Sequence, residues 1–369
     1  MLPKALLSTA CLTALAAALP SKTDIIATQP DDCKEVTIPV TVEVPRFLIS
    51  TEIRDDWDAA ALTFNLTRRD FGQATFPLPI TGTTSAPVKS TYEVGATLCG
   101  NGSTTLILTH GILESKLYWQ PDFPDSERYD FVKAAVKAGY SVLSYDRIGV
   151  RSSSRINSIM DAQFQVQVAV LNSLIEHVRT NSTARKVALV GHSYGAYISI
   201  AAAAAAASSI QSHSSTSGVD AVILTGFAGG FSHFAPFLAG AGLRVAREQN
   251  PERWGALDPG YLTTVDEFAD TYIYYHAGDF ARRVAAWTHA RGSEPTTSRP
   301  AGGNCEGQLG EIRGNLTGPA VVETVDDLPA GFFSTLLTNV EITRHNLNLH
   351  FVAPRAFELI FDFLKRQGL

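Results

Sequence analysis

The 369-residue chain has no block of lysine or arginine: 30 basic residues are scattered among 36 acidic ones, for a formal net charge of -6. That argues against a binder of nucleic acid or of anionic membranes, both of which concentrate positive charge on one face. Charge is sparse altogether, at 18% Asp, Glu, Lys and Arg against 45% hydrophobic residues. The balance is too apolar for general disorder and suffices to bury a large core. There is no internal repeat. Beyond residue 19 no apolar run is long enough to span a bilayer, since the Ala201 to Ala207 tract is short and flanked by serines.

Cysteine is scarce too, with four residues. Cys11 lies in MLPKALLSTACLTALAAALP, where Lys4 precedes the apolar run from Ala5 to Leu19 with small residues at its end, the layout of a secretory signal peptide. A membrane anchor would need about 18 to 20 apolar residues, and Ser8, Thr9 and Thr13 interrupt this shorter run. The expectation is a secreted protein, with residues 1–20 as the leader and 21–369 as one domain. The mature chain then keeps Cys33, Cys99 and Cys305, so one thiol lacks an internal partner in an oxidising compartment. Sequons at Asn65, Asn101, Asn181 and Asn315 suit a glycosylated secreted protein.

Residues 35–44, EVTIPVTVEV, alternate as a half-exposed strand does. TTLILTHG (104–111), YSVLSYD (140–146), KVALVG (186–191) and DAVILTG (220–226) are short continuous apolar runs closed by Gly or Asp, the pattern of parallel strands buried on both faces. Helix-like segments lie between them: SERYDFVKAAVKAG, stopped by Gly139, then AQFQVQVAVLNSLIEHVRT and GAYISIAAAAAAASSIQ. The alternation predicts an α/β fold with a mostly parallel, doubly wound sheet. The rhythm breaks at about 227–300, which is aromatic-rich, helix-like and without a strand run, and reads as a helical cap inserted over the sheet. GPAVVETVDD (318–327) then reads as a strand ending in acids, AGFFSTLLT as a short helix, NVEIT as a strand and FELIFDFLKRQ as an amphipathic helix.

Gly-His-Ser-Tyr-Gly, residues 191–195, follows the strand run KVALV and opens the alanine-rich helix. A strand-to-helix turn of this kind lifts Ser193 Oγ above the sheet edge, and its glycines avoid side chains that would clash in the bend. The helix N-terminus offers the Tyr194 N–H to a developing oxyanion. His110-Gly111 closes an earlier strand, which makes the Ile112 N–H a second donor; His110 itself reads as structural. The base must come late in the chain. His345 follows NVEIT and is the candidate, while His350, five residues on, reads as a supporting or surface histidine.

With THGI, YDRIG (Tyr145 to Gly149), GHSYG and ITRHNLNLH, the chain resembles the secreted fungal α/β-hydrolases, serine hydrolases of the AB hydrolase-1 type, over residues 90–369. The resemblance implies the α/β-hydrolase fold and acyl hydrolysis by Ser193, His345 and an acid, with no metal or cofactor. It makes Asp146-Arg147 a structural turn. It also implies a strand ending in Tyr-Asp and a Cys-Gly-Gly-x-Cys loop before the late histidine. Here the chain departs, with SEPTTSRP and then Ala301-Gly302-Gly303-Asn304-Cys305, as though a stretch were missing near residue 298. Cys33 and Cys99 are then left to pair and Cys305 to stand alone.

Asp327, preceded by Asp326, is the substitute acid: it closes a strand-like run and falls between Ser193 and His345 in the usual order. The alternative is an exposed turn of acids. The function that follows is a secreted, monomeric carboxylic-ester hydrolase acting on a small or medium apolar ester, its acyl or alcohol pocket lined by aromatics of the cap. A peptidase or lyase on the same triad is a further enzymatic option. The competing class is a binding protein that keeps the fold and has lost its acid.

Overall fold

Every residue of TTLILT is buried, as a strand covered on both faces requires. The computed structural model, which describes residues 33–70, 80–182, 184–211, 218–227, 234–297, 320–322, 336–337 and 345–369, places that strand inside a large sheet. The chain runs β1 (Cys33–Val44), β2 (Phe47–Ile49), α1 (Asp56–Asp70), β3 (Ile80–Thr83), β4 (Val88–Cys99), β5 (Thr104–Thr109), α2 (Phe131–Lys137), β6 (Ser141–Tyr145), α3 (Phe164–Asn181), β7 (Lys186–His192), α4 (Tyr194–Gln211) and β8 (Ala221–Thr225). It continues through α5 (Phe234–Ala241), β9 (Arg244–Val245), α6 (Ala246–Gln249), α7 (Pro251–Trp254), β10 (Tyr261–Thr263), α8 (Glu267–Tyr274), α9 (Arg282–Trp287) and β11 (Thr296–Thr297). After β12 (Ala320–Val322) and β13 (Leu336–Leu337), the helix α10 (Ala353–Arg366) closes it.

Among the described residues the main sheet has the order β1-β4-β6-β5-β7-β8-β12-β13. The six strands from β6 to β13 are parallel, with β4 and β1 antiparallel at one edge. Pleating sends successive side chains to opposite layers. Leu106, Leu108, Ala188 and Val190 join Phe131 of α2 and Phe357 and Phe361 of α10, whereas Ile107, Val187 and Leu189 join Leu171 and Leu174 of α3 and Ala202 of α4. The alternation in EVTIPVTVEV is real, since Ile38, Val40 and Val42 are buried between exposed neighbours. Cys33 faces Cys99 at the end of the β1–β4 ladder and the two form a disulfide.

The segment from α5 onward differs from its strand-free reading, because β11, β10 and β9 form a small sheet of their own. Strands of two or three residues are too short to stand out as apolar runs. The N-terminal α1 packs against α5, and Asp56 Oδ1 accepts the Val245 N–H at 2.7 Å. In the C-terminal third, Ala320–Val322 is the strand expected in 318–327 and pairs with β8. Within AGFFSTLLT, read as a short helix, Leu336–Leu337 are instead a strand that pairs in parallel with β12, and the rest of the stretch lies outside the described residues. The leader, Cys305, Asn315, Asp326, Asp327 and NVEIT lie outside the described residues. Among the described residues no helix is long and apolar enough to cross a membrane.

Candidate active site

Ser193 sits between the last residue of β7 and the first of α4 with a φ of 54°. A left-handed backbone on a non-glycine residue costs on the order of 1–3 kcal/mol and persists only where its surroundings enforce it. They do so here: the Ser193 N–H donates to the Thr225 carbonyl at 2.8 Å, and the Ser193 carbonyl accepts the Ala196 N–H at 2.9 Å. The flanking glycines are required by close approach. A Cβ on Gly191 would lie 2.5 Å from the Gly195 carbonyl oxygen, and one on Gly195 only 2.2 Å from that of Thr109.

His345 Nε2 lies 2.5 Å from Ser193 Oγ, so the serine and the late histidine meet. Burial lowers the His345 pKa from the usual 6.5 to about 4, leaving a neutral imidazole able to take a proton. Its ring stands 5.1 Å from that of His192 and 6.2 Å from those of Phe237 and Tyr274, the last nearly parallel to it. Among the described residues no carboxylate bonds His345. The carboxyl end of β12 lies at the same sheet edge as Ser193, with Val322 opposite Leu224.

The HGI loop is held on nearly every polar atom. Gly111 N–H donates to Glu114 Oε2 at 2.8 Å, and the Gly111 carbonyl accepts from Arg147 Nη2 at 2.9 Å and from His110 Nδ1 at 3.0 Å. The Ile112 carbonyl accepts the Tyr274 hydroxyl at 2.6 Å. The Ile112 N–H has no hydrogen bond among the described residues. Across a trans peptide it points opposite to the pinned Gly111 carbonyl. Gly111 itself lies against the nucleophile, since a Cβ there would be 2.9 Å from Ser193 Cβ. Tyr194 opens α4, which brings its N–H to the same turn.

The remaining histidines are fixed by their partners. His110 Nε2 accepts the Arg147 N–H at 3.0 Å, so Nδ1 carries the proton and the ring is structural. His350 is fully buried: Nε2 accepts the His276 N–H at 3.2 Å, and Nδ1 donates to the Asn346 carbonyl at 2.6 Å. It supports the loop that carries His345 and is not a surface residue. Asp146 accepts the Lys116 N–H and the Ser152 hydroxyl, the structural turn expected of it. His192 Nδ1 lies 3.0 Å from Thr225 Oγ1 and 3.2 Å from the Tyr118 hydroxyl, and its Nε2 lies 3.2 Å from Asn346 Oδ1.

Glu114 is the site residue that sequence reasoning missed. It is 4% exposed, and burial pushes its carboxyl up to about 8 against the lowering pull of Gly111 N–H, Arg147 and Asn346. The available signal was a carboxylate three residues after a strand-ending glycine. Among the described residues no group of three or more His, Cys, Asp or Glu is arranged to hold a metal ion.

A strained serine on a strand-to-helix turn, a late histidine and a clamped upstream loop on a parallel sheet define a hydrolase-type α/β architecture. The chain belongs to the alpha/beta hydrolase family, which it matches over residues 106–340. Among solved structures it is similar to an esterase from Exiguobacterium antarcticum, with 14% identity, a TM-score of 0.49, and coverage of 74% of this chain and 96% of that one. It is similar to the haloalkane dehalogenase DatA from Agrobacterium tumefaciens at 14% identity and TM-score 0.49, covering 75% and 94%. A monoacylglycerol lipase from Paleococcus ferrophilus shows 11% identity and TM-score 0.49, covering 74% and 99%. No curated protein matches the sequence. The chemistry is therefore read from the chain's own side chains.

Proposed function

We propose that the protein is a secreted serine hydrolase that cleaves carboxylic esters through a covalent acyl-enzyme. The observation that carries this reading is the 2.5 Å approach of His345 Nε2 to the hydroxyl of a strained, partly exposed Ser193. His345 takes the serine proton as Oγ attacks the ester carbonyl. The Ile112 and Tyr194 N–H groups receive the oxyanion. His345 then gives the proton to the departing alkoxide, and water enters by the same route to release the acid. Asp327 orients His345, a role supported by β12 leading the chain out at the Ser193 edge. A serine nucleophile suits acyl transfer, whereas dehalogenation and epoxide opening on this fold use an aspartate at that position.

Phe237 and Tyr274 beside His345 favour an apolar ester, and the segment of about 227–300 serves as the cap. The leader, the disulfide and the exposed sequon residues Asn65, Asn101 and Asn181 support secretion and glycosylation. The test is hydrolysis of p-nitrophenyl acetate and butyrate by the secreted protein. Ser193→Ala abolishes turnover, and Asp327→Asn lowers kcat by about 10⁴-fold through loss of the correct tautomer. Undiminished activity in Ser193→Ala would refute the mechanism.

A further inference from the structure

Two buried ionisable side chains beside the site, Glu114 and Arg147, have no part in bond making. Resting on the ester-hydrolase reading, we propose that they are positioning residues that clamp the Gly111 peptide groups and so aim the Ile112 N–H at the oxyanion. Glu114 takes the N–H on one side of Gly111 and Arg147 the carbonyl on the other, at 2.8 and 2.9 Å. Each is nine-tenths or more buried, at 4% and 5% exposure. Holding both groups fixes the plane of the next peptide, whose N–H has no hydrogen bond among the described residues and is therefore aimed for a ligand.

The environment of the pair adds a pH dependence. Glu114 is faced by Arg147 from the turn after β6, by His192 Nε2 at 3.6 Å from Oε1, by Asn346 beside His345, and by Tyr274 and Tyr275 from the end of α8. Burial keeps both His110 and His192 well below the usual histidine range, so neither adds positive charge. With Glu114 protonated, the Arg147 guanidinium leaves one net positive charge under the loop, which favours an oxyanion. Ionisation of Glu114 through about pH 8 cancels it. Turnover therefore declines above that pH.

The experiment compares the full-length parent with Glu114→Gln, Glu114→Leu and Arg147→Met on p-nitrophenyl butyrate from pH 5 to 10. Gln retains an acceptor for Gly111 N–H and cannot ionise, so it keeps kcat at neutral pH and loses the alkaline decline. Leu and Met lower kcat by about 10- to 100-fold with KM little changed, as loss of a donor used only in the transition state demands. An alkaline limb in Glu114→Gln that superimposes on the parent's, or a loss confined to KM, would overturn the assignment. The clamp is also read without turnover, as amide exchange in the 106–118 segment, faster in Glu114→Leu and Arg147→Met than in the parent. Unchanged exchange overturns the clamp whatever the enzyme does; faster exchange in a protein that hydrolyses no ester sustains the clamp and refutes the ester reading alone.

Discussion

Replacing Gly195 by alanine probes the elbow at a position that carries no chemistry. The added Cβ would lie 2.2 Å from the Thr109 carbonyl oxygen and 2.7 Å from that of His110, both backbone atoms that cannot swing aside. Restoring an ordinary contact of 3.4 Å from 2.2 Å separates α4 from the end of β5 by about 1.2 Å. Ser193 stands two residues before Gly195, and Ile112 three after Thr109. The separation therefore opens the gap between nucleophile and oxyanion donor. A misplacement of about 1 Å costs on the order of 100-fold in rate, and overpacking against backbone costs about 1–3 kcal/mol of stability.

Gly139→Ala is the comparison. Gly139 has a φ of +97° and no neighbour within 4 Å, so alanine there strains the backbone without touching the site. Turnover of p-nitrophenyl butyrate and thermal unfolding, measured on both variants, separate the two effects. Gly139→Ala lowers Tm and keeps kcat; Gly195→Ala lowers both. A Gly195→Ala protein that folds and keeps kcat within about threefold of the parent would refute the claim that this contact positions the serine.

Three further outcomes follow from the same geometry. The Cys33–Cys99 disulfide spans 66 residues of sequence, so Cys33→Ala with Cys99→Ala costs about 4 kcal/mol by loop-closure entropy, readable as a lower denaturant midpoint. The Glu114 carboxyl is raised from 4.5 to about 8 in the folded chain; the folded state holds a proton that the unfolded chain releases, so stability falls between those pH values by roughly 1 kcal/mol per pH unit. Urea titrations at pH 5 and 8 should show that this fall is absent in Glu114→Gln. Burial alone holds His345 at about 4, and a partner carboxylate raises it, so the acid limb of kcat/KM moves down toward pH 4 in Asp327→Asn. A limb that stays in place would deny Asp327 contact with the histidine.

The parts of this structure legible in the sequence are those governed by local patterns. TTLILT, KVALV and DAVILT are strands because nothing but a two-sided core accommodates such runs, and GHSYG is a turn because only glycine tolerates backbone at both flanks. Glu114 was opaque for the opposite reason, and Arg147, legible as part of a structural turn, gave no sign of its bond to Gly111. A carboxylate in HGILES reads as a solvated loop acid until the Gly111 N–H, Arg147 and Asn346 are folded around it. Tyr274 reaches the Ile112 carbonyl from 162 residues away, and no spacing announces that. His350 looks like a helix-leading surface residue until the His276 N–H is found on its Nε2. The acid was obscure because Asp326-Asp327 closes a strand-like run and reads equally well as an exposed turn of acids.

The alanine tract shows how a featureless sequence sets the geometry of a site. Ala196, Ala201, Ala202 and Ala203 of α4 are all buried, packed toward α3 and the sheet. A helix with large side chains meets its neighbours through ridges that shift by rotamer, and its depth adjusts with them. Small side chains remove that slack and let backbone approach backbone. The space left for a Cβ at Gly191 ends 2.6 Å from Ala196 Cα and from Ser199 Oγ, and at Gly195 at the Thr109 carbonyl. The depth of α4 is thereby set by covalent geometry at its first turn, where Ser193 must hold a left-handed backbone. Alanine also has the highest helix propensity, so this close fit does not cost helix stability. The alanines at 201–203 thus bear on the elbow: they anchor the helix that Tyr194 opens and Ser193 directly precedes.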